Sequence, residues 1–310
     1  MTAQPPVLPA PELEPVPTAA VSRNWPAAVL RSSRPRQWPK NLLVFAAPVA
    51  AADQGRIVGM DYALVAFAVF TLASCAVYFV NDVVDVERDR RHPVKRYRPV
   101  AAGHLTERHA LLLAGGCVLL AEAGSAAIGS LGLAACVTGY LALSFLYSST
   151  LKHLPVLELT MVASGFVLRA LGGAAAADVE PSGWFLLVCS LSALLVAVAK
   201  RYTELAALGS AAVSHRPCLR RYTPVGLRVA QRTISALMVG AYLSWALLNG
   251  SPWGVFCHLL TAVPMAAALL RFDWLTGQGT LLRVEDLITR DRPMLLCEMV
   301  WLLLFVAGTA

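Results

Sequence analysis

The sequence predicts an all-α polytopic membrane protein, and three observations support that fold class. Of the 310 residues, 57% are hydrophobic and only 15% are charged. The mean hydropathy is +0.60. Soluble domains usually carry about 25% charged residues. The apolar residues also form long runs, and the run from Tyr62 to Val80 contains no charged residue at all.

Nine segments approach the ~20 apolar residues that a membrane-spanning helix needs. They are residues 40–57, 62–81, 109–128, 130–148, 155–176, 183–200, 232–249, 252–270 and 293–309. Charged residues crowd the ends of the first and sixth segments, so these two are the least distinct. We therefore expect nine transmembrane helices.

The basic residues are distributed unevenly between these segments. Of 26 Lys and Arg, 24 lie in the N-terminal tail or in and beside alternate loops, whereas the opposite loops hold only Arg56. Basic residues favour the cytoplasmic side of a membrane. The sequence therefore predicts a multi-pass protein of the plasma (inner) membrane with a cytoplasmic N-terminus. The polar clusters lie on the same side, so an active site would face the cytoplasm.

The chain is expected to have two parts. Residues 1–30 are predicted to be a disordered, Pro/Ala-rich cytoplasmic tail without the pattern of a signal peptide, and residues 31–310 form the helical domain. The net charge of +7 does not indicate nucleic-acid binding, because no soluble module carries it. A membrane surface and a phosphorylated substrate account for it better. The oligomeric state is left open, with a homo-oligomer among the options.

An acidic motif, NDVVDVERD, follows the second apolar segment. In one continuous helix, Asp82, Asp85 and Asp89 would share a face, where like charges repel. A hard cation such as Mg²⁺ would relieve that repulsion, since Asn81 and the three aspartates offer only oxygen ligands. The alternative is a solvated helix end whose acids are neutralised by the neighbouring arginines.

A basic stretch, KRYRP, comes directly after the acidic motif. Pro93 and Pro99 flank it and disfavour helix, so it should form a loop that folds back over the carboxylates. Metal-binding acids beside Lys95, Arg96 and Arg98 suit a diphosphate. The alternative is that these cations simply anchor the cytoplasmic side.

The two stretches NDVVDVERD and KRYRPVAAG together resemble the UbiA superfamily, the intramembrane prenyltransferases with nine helices around a central cavity. That superfamily usually carries a second aspartate motif after the sixth span. Here the corresponding stretch is AKRYTELAALG, in which Glu204 is a single carboxylate beside two cations. This departure argues against an ordinary aromatic prenyltransferase and suits an anion bound directly by protein.

Further stretches resemble one branch of the superfamily, the decaprenyl-phosphate phosphoribosyltransferases. They are RPRQWPKN, VASGFVLRALGG, KRYTEL and RVEDLITRDRP. The resemblance implies transfer of 5-phosphoribosyl from phosphoribosyl diphosphate (PRPP) to decaprenyl or another polyprenyl phosphate. That reaction would begin the synthesis of the lipid-linked donor for cell-wall arabinan.

The resemblance also implies roles for the polar residues. Asp82, Asp85 and Asp89 would be the catalytic residues, holding Mg²⁺ on the donor diphosphate with help from Asn81. The expected substrate-binding residues are Lys40, Lys95, Arg96, Arg98, Arg169, Lys200, Arg201 and Tyr202.

Two charged residues keep alternative interpretations. Glu204 is either a further metal ligand or the salt-bridge partner of Arg201. Arg169, the only basic residue away from the ends of a predicted span, either lines the cavity or makes structural hydrogen bonds. Glu158 lies three helical turns from Arg169, too far to pair with it along one helix.

Two other functions are alternatives to the phosphoribosyltransferase hypothesis. A UbiA-type prenyltransferase would move a prenyl chain from a prenyl diphosphate to an aromatic or other acceptor. A transporter would place polar residues near the middle of the membrane on paired spans, whereas these polar clusters collect at the predicted cytoplasmic ends.

Overall fold

The computed structural model describes residues 24–51, 59–149, 156–209, 217–248, 251–278 and 284–309. The α-helices are α1 Trp25–Ser32, α2 Ala46–Ala50, α3 Met60–Val84, α4 Val86–Arg90, α5 Glu107–Ala127, α6 Leu131–Ser149, α7 Leu157–Ala176, α8 Gly183–Leu208, α9 Pro224–Leu248, α10 Pro252–Gly277, α11 Val284–Arg290 and α12 Arg292–Thr309. Three 3-10 helices span Pro35–Phe45, Lys95–Tyr97 and Pro217–Arg221.

Six helices of the described ranges are long and apolar enough to cross a membrane, namely α3, α5, α6, α7, α8 and α10. Helices α9 and α12 occupy the seventh and ninth predicted spans. The first predicted span begins in the 3-10 helix Pro35–Phe45, where Pro39 removes a backbone donor, and continues in α2. Its remainder, residues 52–57, lies outside the described residues. The all-α class is confirmed, and the count of nine remains a prediction.

Helix α1 begins inside the predicted disordered tail. A proline at the start of the helix suits its first turn, and Ala28 and Ser32 are buried. A helix therefore starts within the predicted tail, and the division of the chain at residue 30 stays a prediction. Residues 1–23 lie outside the described part of the chain.

Glycines of α7 bring the N-terminal segment close to the bundle. A Cβ on Gly173 would overlap the backbone carbonyl of Val44, and one on Gly172 would overlap the ring of Phe70 in α3. Small residues of this kind let helices approach closely within a membrane. The close approach fixes the 3-10 helix Pro35–Phe45 between α3 and α7.

The buried apolar residues form two clusters. One joins α3, α5 and α6, and the other joins α7, α8, α9 and α10. A cavity of about 420 Å³ lies beside the second cluster, among α2, α7, α8, α9 and α12. Its walls are largely apolar and include Trp184, Trp245, Trp301 and Phe305.

Contacts between helix ends show which termini lie together. Gly59, just before α3, approaches Ala177, just after α7. Glu158 at the start of α7 contacts Arg201 near the end of α8. The C-terminal ends of α3 and α8 therefore lie at the same end of the bundle, and so do the two polar motifs found there.

Candidate active site

The acidic motif spans a junction between two helices. Helix α3 ends at Val84, Asp85 caps it with φ −92° and ψ 6°, and α4 begins at Val86. Asp82 and Asp89 are both buried, with side chains only 2% exposed. The spacing argument assumed one continuous helix, whereas a turn at Asp85 separates α3 from α4. Asp82 and Asp89 nevertheless contact the same arginine, Arg98.

Two arginines neutralise the buried carboxylates. Arg34 Nη2 forms an ion pair with Asp82 Oδ1. Arg98 Nη1 lies 3.5 Å from the same Oδ1 and donates to Asp89 Oδ2 at 2.6 Å. The basic stretch thus folds back over the carboxylates through Arg98, as its flanking prolines predict. Arg34 lies 48 residues before Asp82 in the sequence, and sequence reasoning did not assign it a role.

Lys95 and Arg96 lie in the same turn. The backbone N–H groups of Val94 and Lys95 donate to His92 Nδ1 at 3.1 and 3.2 Å, so His92 orders the loop. Burial, with the nearby charge of Arg98, lowers the pKa of the Lys95 ammonium. Arg96 donates to the Tyr97 hydroxyl at 2.8 Å and stacks on its ring.

The donor atoms of the acidic motif decide whether it fits a metal ion. Among the described residues, no group of three His, Cys, Asp or Glu side chains converges to hold an ion, and Arg34 and Arg98 pair with Asp82 and Asp89. Asn81 Oδ1 is nevertheless buried without a hydrogen-bond partner. Mg²⁺ is usually bound by one or two carboxylates together with substrate phosphates. The residues therefore fit an ion that arrives with a phosphorylated substrate.

The second polar motif, at the end of α8, is built around Arg201. Its side chain is 3% exposed, and its Nε lies 2.6 Å from Oε1 of the fully buried Glu158. This contact is an ion pair without the alignment of a hydrogen bond. Arg201 also pairs with Glu204, which matches the salt-bridge alternative for Glu204. Lys200 is half-buried beside it.

Tyr202 is tied to the neighbouring helices by a network that sequence reasoning missed. Arg228 donates to the Tyr202 hydroxyl at 3.1 Å and lies over its ring at 4.3 Å. Arg228 also donates to Asp273 Oδ1 at 2.9 Å, and Arg232 pairs with Asp273 Oδ2 at 3.1 Å. The offset of four between the two arginines was a signal of a shared anionic partner.

Arg169 connects four elements of the bundle. Its Nε donates to Asn41 Oδ1 at 2.7 Å, and Nη2 donates to the Tyr140 hydroxyl at 3.1 Å and to Ser74 Oγ at 3.3 Å. These contacts match the structural hydrogen-bonding alternative. They also hold the segment that carries the neighbouring, half-buried Lys40.

Comparison with known proteins gives matches along most of the chain. The model of the UbiA prenyltransferase family matches residues 42–280. A protein of Mycolicibacterium smegmatis described as a decaprenyl-phosphate phosphoribosyltransferase is 37% identical over 302 residues, covering 92% of this chain and 93% of its own. A Corynebacterium glutamicum protein with the same description is 34% identical, covering 92% and 87%.

The fold is shared with solved structures. A UbiA homolog from Archaeoglobus fulgidus bound to GPP and Mg²⁺ superposes with a TM-score of 0.68 at 17% identity, covering 91% of this chain and 98% of that one. At this identity the likeness establishes the architecture of the bundle.

Proposed function

As the chain belongs to the UbiA prenyltransferase family and is a transferase, we propose that it transfers 5-phosphoribosyl from PRPP to decaprenyl phosphate and releases pyrophosphate. One observation carries the proposal. Relatives described as decaprenyl-phosphate phosphoribosyltransferases match it at 34–37% identity over 92% of the chain, a range that includes both polar motifs. Family membership also sets aside the transporter alternative.

The acidic motif is proposed as the donor site. Asn81, Asp82, Asp85 and Asp89 would hold a divalent ion, with Mg²⁺ as the proposed species. When bound, the ion would neutralise the negative charge that develops on the departing pyrophosphate. Arg98, already on the two buried carboxylates, would remain close to that charge, and Lys95 and Arg96 add donors for the donor phosphates.

The second motif supports an anion site that does not need its own metal. Glu158 and Glu204 fix Arg201, and Arg228 fixes Tyr202, so the end of α8 is rigid beside Lys200. Lys40 and Lys200 are proposed to bind the acceptor phosphate, with Arg201 and Tyr202 adding positive charge and a hydroxyl. Arg169 is proposed to hold this arrangement together by its hydrogen bonds.

The acceptor needs no strong base, because a lipid monophosphate is already ionised near neutral pH. Its phosphate oxygen would attack the ribosyl C1 as the bond to pyrophosphate breaks. Its isoprenoid chain suits the apolar cavity of about 420 Å³. The protein is a multi-pass membrane protein. A plasma-membrane location, a cytoplasmic N-terminus and a site facing the cytoplasm are part of the proposal, as is a role in supplying the arabinan precursor.

Two incubations of purified protein test the function, one with polyprenyl phosphate and labelled PRPP, the other with an aromatic acceptor and labelled prenyl diphosphate. We expect mass spectrometry to detect a phosphoribosyl lipid that requires PRPP and Mg²⁺. Transfer of a prenyl chain to an aromatic acceptor, without the phosphoribosyl lipid, would support the alternative enzyme. Undiminished activity in excess chelator would remove the metal from the proposal.

A further inference from the structure

Arg34 lies on a carboxylate of the acidic motif although it belongs to a distant segment. Its guanidinium pairs with Asp82, which is 2% exposed, while its own side chain is 28% exposed. The same guanidinium lies 4.9 Å from the ring centroid of Tyr78, one turn before Asp82 on α3. Arg34 can therefore move towards solvent, whereas Asp82 cannot.

The backbone at Arg34 is held in an unusual conformation that aims this side chain. Its φ of 53° and ψ of 64° are left-handed, which is disfavoured for a residue that has a Cβ and precedes a proline. The carbonyl of Ser33 accepts from Trp38 Nε1 at 3.0 Å, and the carbonyl of Arg34 accepts from Gln37 N at 2.8 Å. A disfavoured conformation persists where the surrounding structure fixes it, often at functional sites.

The charges in this part of the site already balance. Asp82 and Asp89 face Arg34 and Arg98, and both guanidinium groups contact Oδ1 of Asp82. A divalent ion alone would have to displace a guanidinium from a buried carboxylate and would leave excess positive charge. A diphosphate that arrives with the ion offers new acceptor oxygens to the displaced group.

We propose that Arg34 is an exchange residue. Its guanidinium neutralises Asp82 before the substrate binds, and it moves from Asp82 to the donor diphosphate when a divalent ion binds the Asp82 carboxylate. This inference rests on the proposed function for the identity of the donor. It makes binding of the ion and of the donor interdependent, since each supplies the charge that the other requires.

Replacement of Arg34 by Gln separates the two halves of the exchange. With Mn²⁺ as the probe and no donor, electron paramagnetic resonance titration should show tighter binding by about tenfold, because an opposite charge at this range shifts a carboxylate's cation affinity by one or more orders of magnitude. With saturating Mg²⁺, the Kd for PRPP should instead rise by roughly tenfold, because a charge-assisted hydrogen bond is lost. A purely structural role for Arg34 would weaken both.

The matched control is Arg36→Gln, the same substitution at an exposed arginine of the same segment, which should leave both constants unchanged. Arg34→Lys keeps the charge and should restore most of the PRPP affinity, and Arg34→Met, which also removes the charge, serves as the test if Arg34→Gln does not fold. Loss of both affinities in Arg34→Gln, or no change in either, would overturn the exchange. Failure of the proposed function would appear in the wild type, as absence of PRPP binding, and not in the difference between variants.

Discussion

The two polar clusters at one end of the bundle differ in how far their cations are buried. After α3, two buried carboxylates are neutralised by arginines that remain 28–29% exposed. At the end of α8, both members of the pair are buried, the arginine at 3% exposure and the glutamate fully. The first arrangement leaves the cations able to exchange partners, and the second does not.

This difference indicates a division of labour. A buried ion pair is costly to break, because it leaves an uncompensated charge in a medium of low polarity. The cluster at the end of α8 should therefore contribute mainly to the geometry of the bundle. The cluster after α3 can accept an ion and a diphosphate without breaking the fold, because its cations can follow the phosphates.

Asp85→Asn gives the largest expected effect and tests the first half of the comparison. Asp85 lies at the α3–α4 junction, and loss of its charge should reduce turnover by about 10³-fold, since removing one group that stabilises the transition state costs about 10²–10³. The thermal unfolding midpoint should stay close to that of the wild type. Turnover would be followed as incorporation of labelled phosphoribosyl into lipid.

Glu87→Gln is the matched control, because Glu87 is 70% exposed and forms an ion pair with the exposed Arg90. It should keep nearly full activity. Full activity in Asp85→Asn itself would show that this carboxylate is not part of the working site.

Glu158→Gln tests the second half of the comparison, and its effect should appear in stability. It leaves Arg201 buried without the charge of its buried partner and with the half-buried Glu204 still paired to it, so we expect the free energy of unfolding to fall by about 2–3 kcal/mol. Glu204→Gln should cost about 1 kcal/mol or less, because Glu204 is 28% exposed and water screens the charge. Thermal unfolding in detergent would compare the two variants.

Equal losses of stability in these two variants would contradict the assignment of Glu158 as the principal anchor. A large loss of turnover in Glu158→Gln with unchanged stability would instead make the second cluster a working site like the first.

The parts of this comparison that the sequence predicted are the local ones. Hydrophobic runs located the long helices, and the prolines around KRYRP predicted a loop that folds back over the carboxylates. The pairing of Arg98 with Asp82 and Asp89 shows how the loop does so. The turn at Asp85 was missed, since nothing in the local spacing distinguishes one continuous helix from a long helix followed by a short one.

Pairings between distant segments could not be predicted. Arg34 and Asp82 are 48 residues apart. Gly173 lets the N-terminal segment, which carries Arg34, pack closely against α7, and Gly172 does the same for α3, which carries Asp82. Sequence reasoning correctly excluded Glu158 as a partner of Arg169 along one helix. It could not identify Arg201 as the partner of Glu158 among the remaining cations, because that pairing depends on how α7 and α8 pack.

The smallest expected effect concerns pH and would sharpen the picture of an exchangeable first cluster. Burial and the nearby charge of Arg98 lower the pKa of Lys95, while Asp89 and Asp85 act in the opposite direction. Lys95 should therefore lose its proton at a lower pH than an ordinary lysine, and the affinity for PRPP should fall as pH rises through that value. In Lys95→Arg the charge persists, because arginine remains protonated throughout, so the decline should disappear while affinity near neutral pH changes only a few-fold. Measured Kd values for PRPP against pH, in wild type and variant, check this, and an identical alkaline decline in both would assign it to another group.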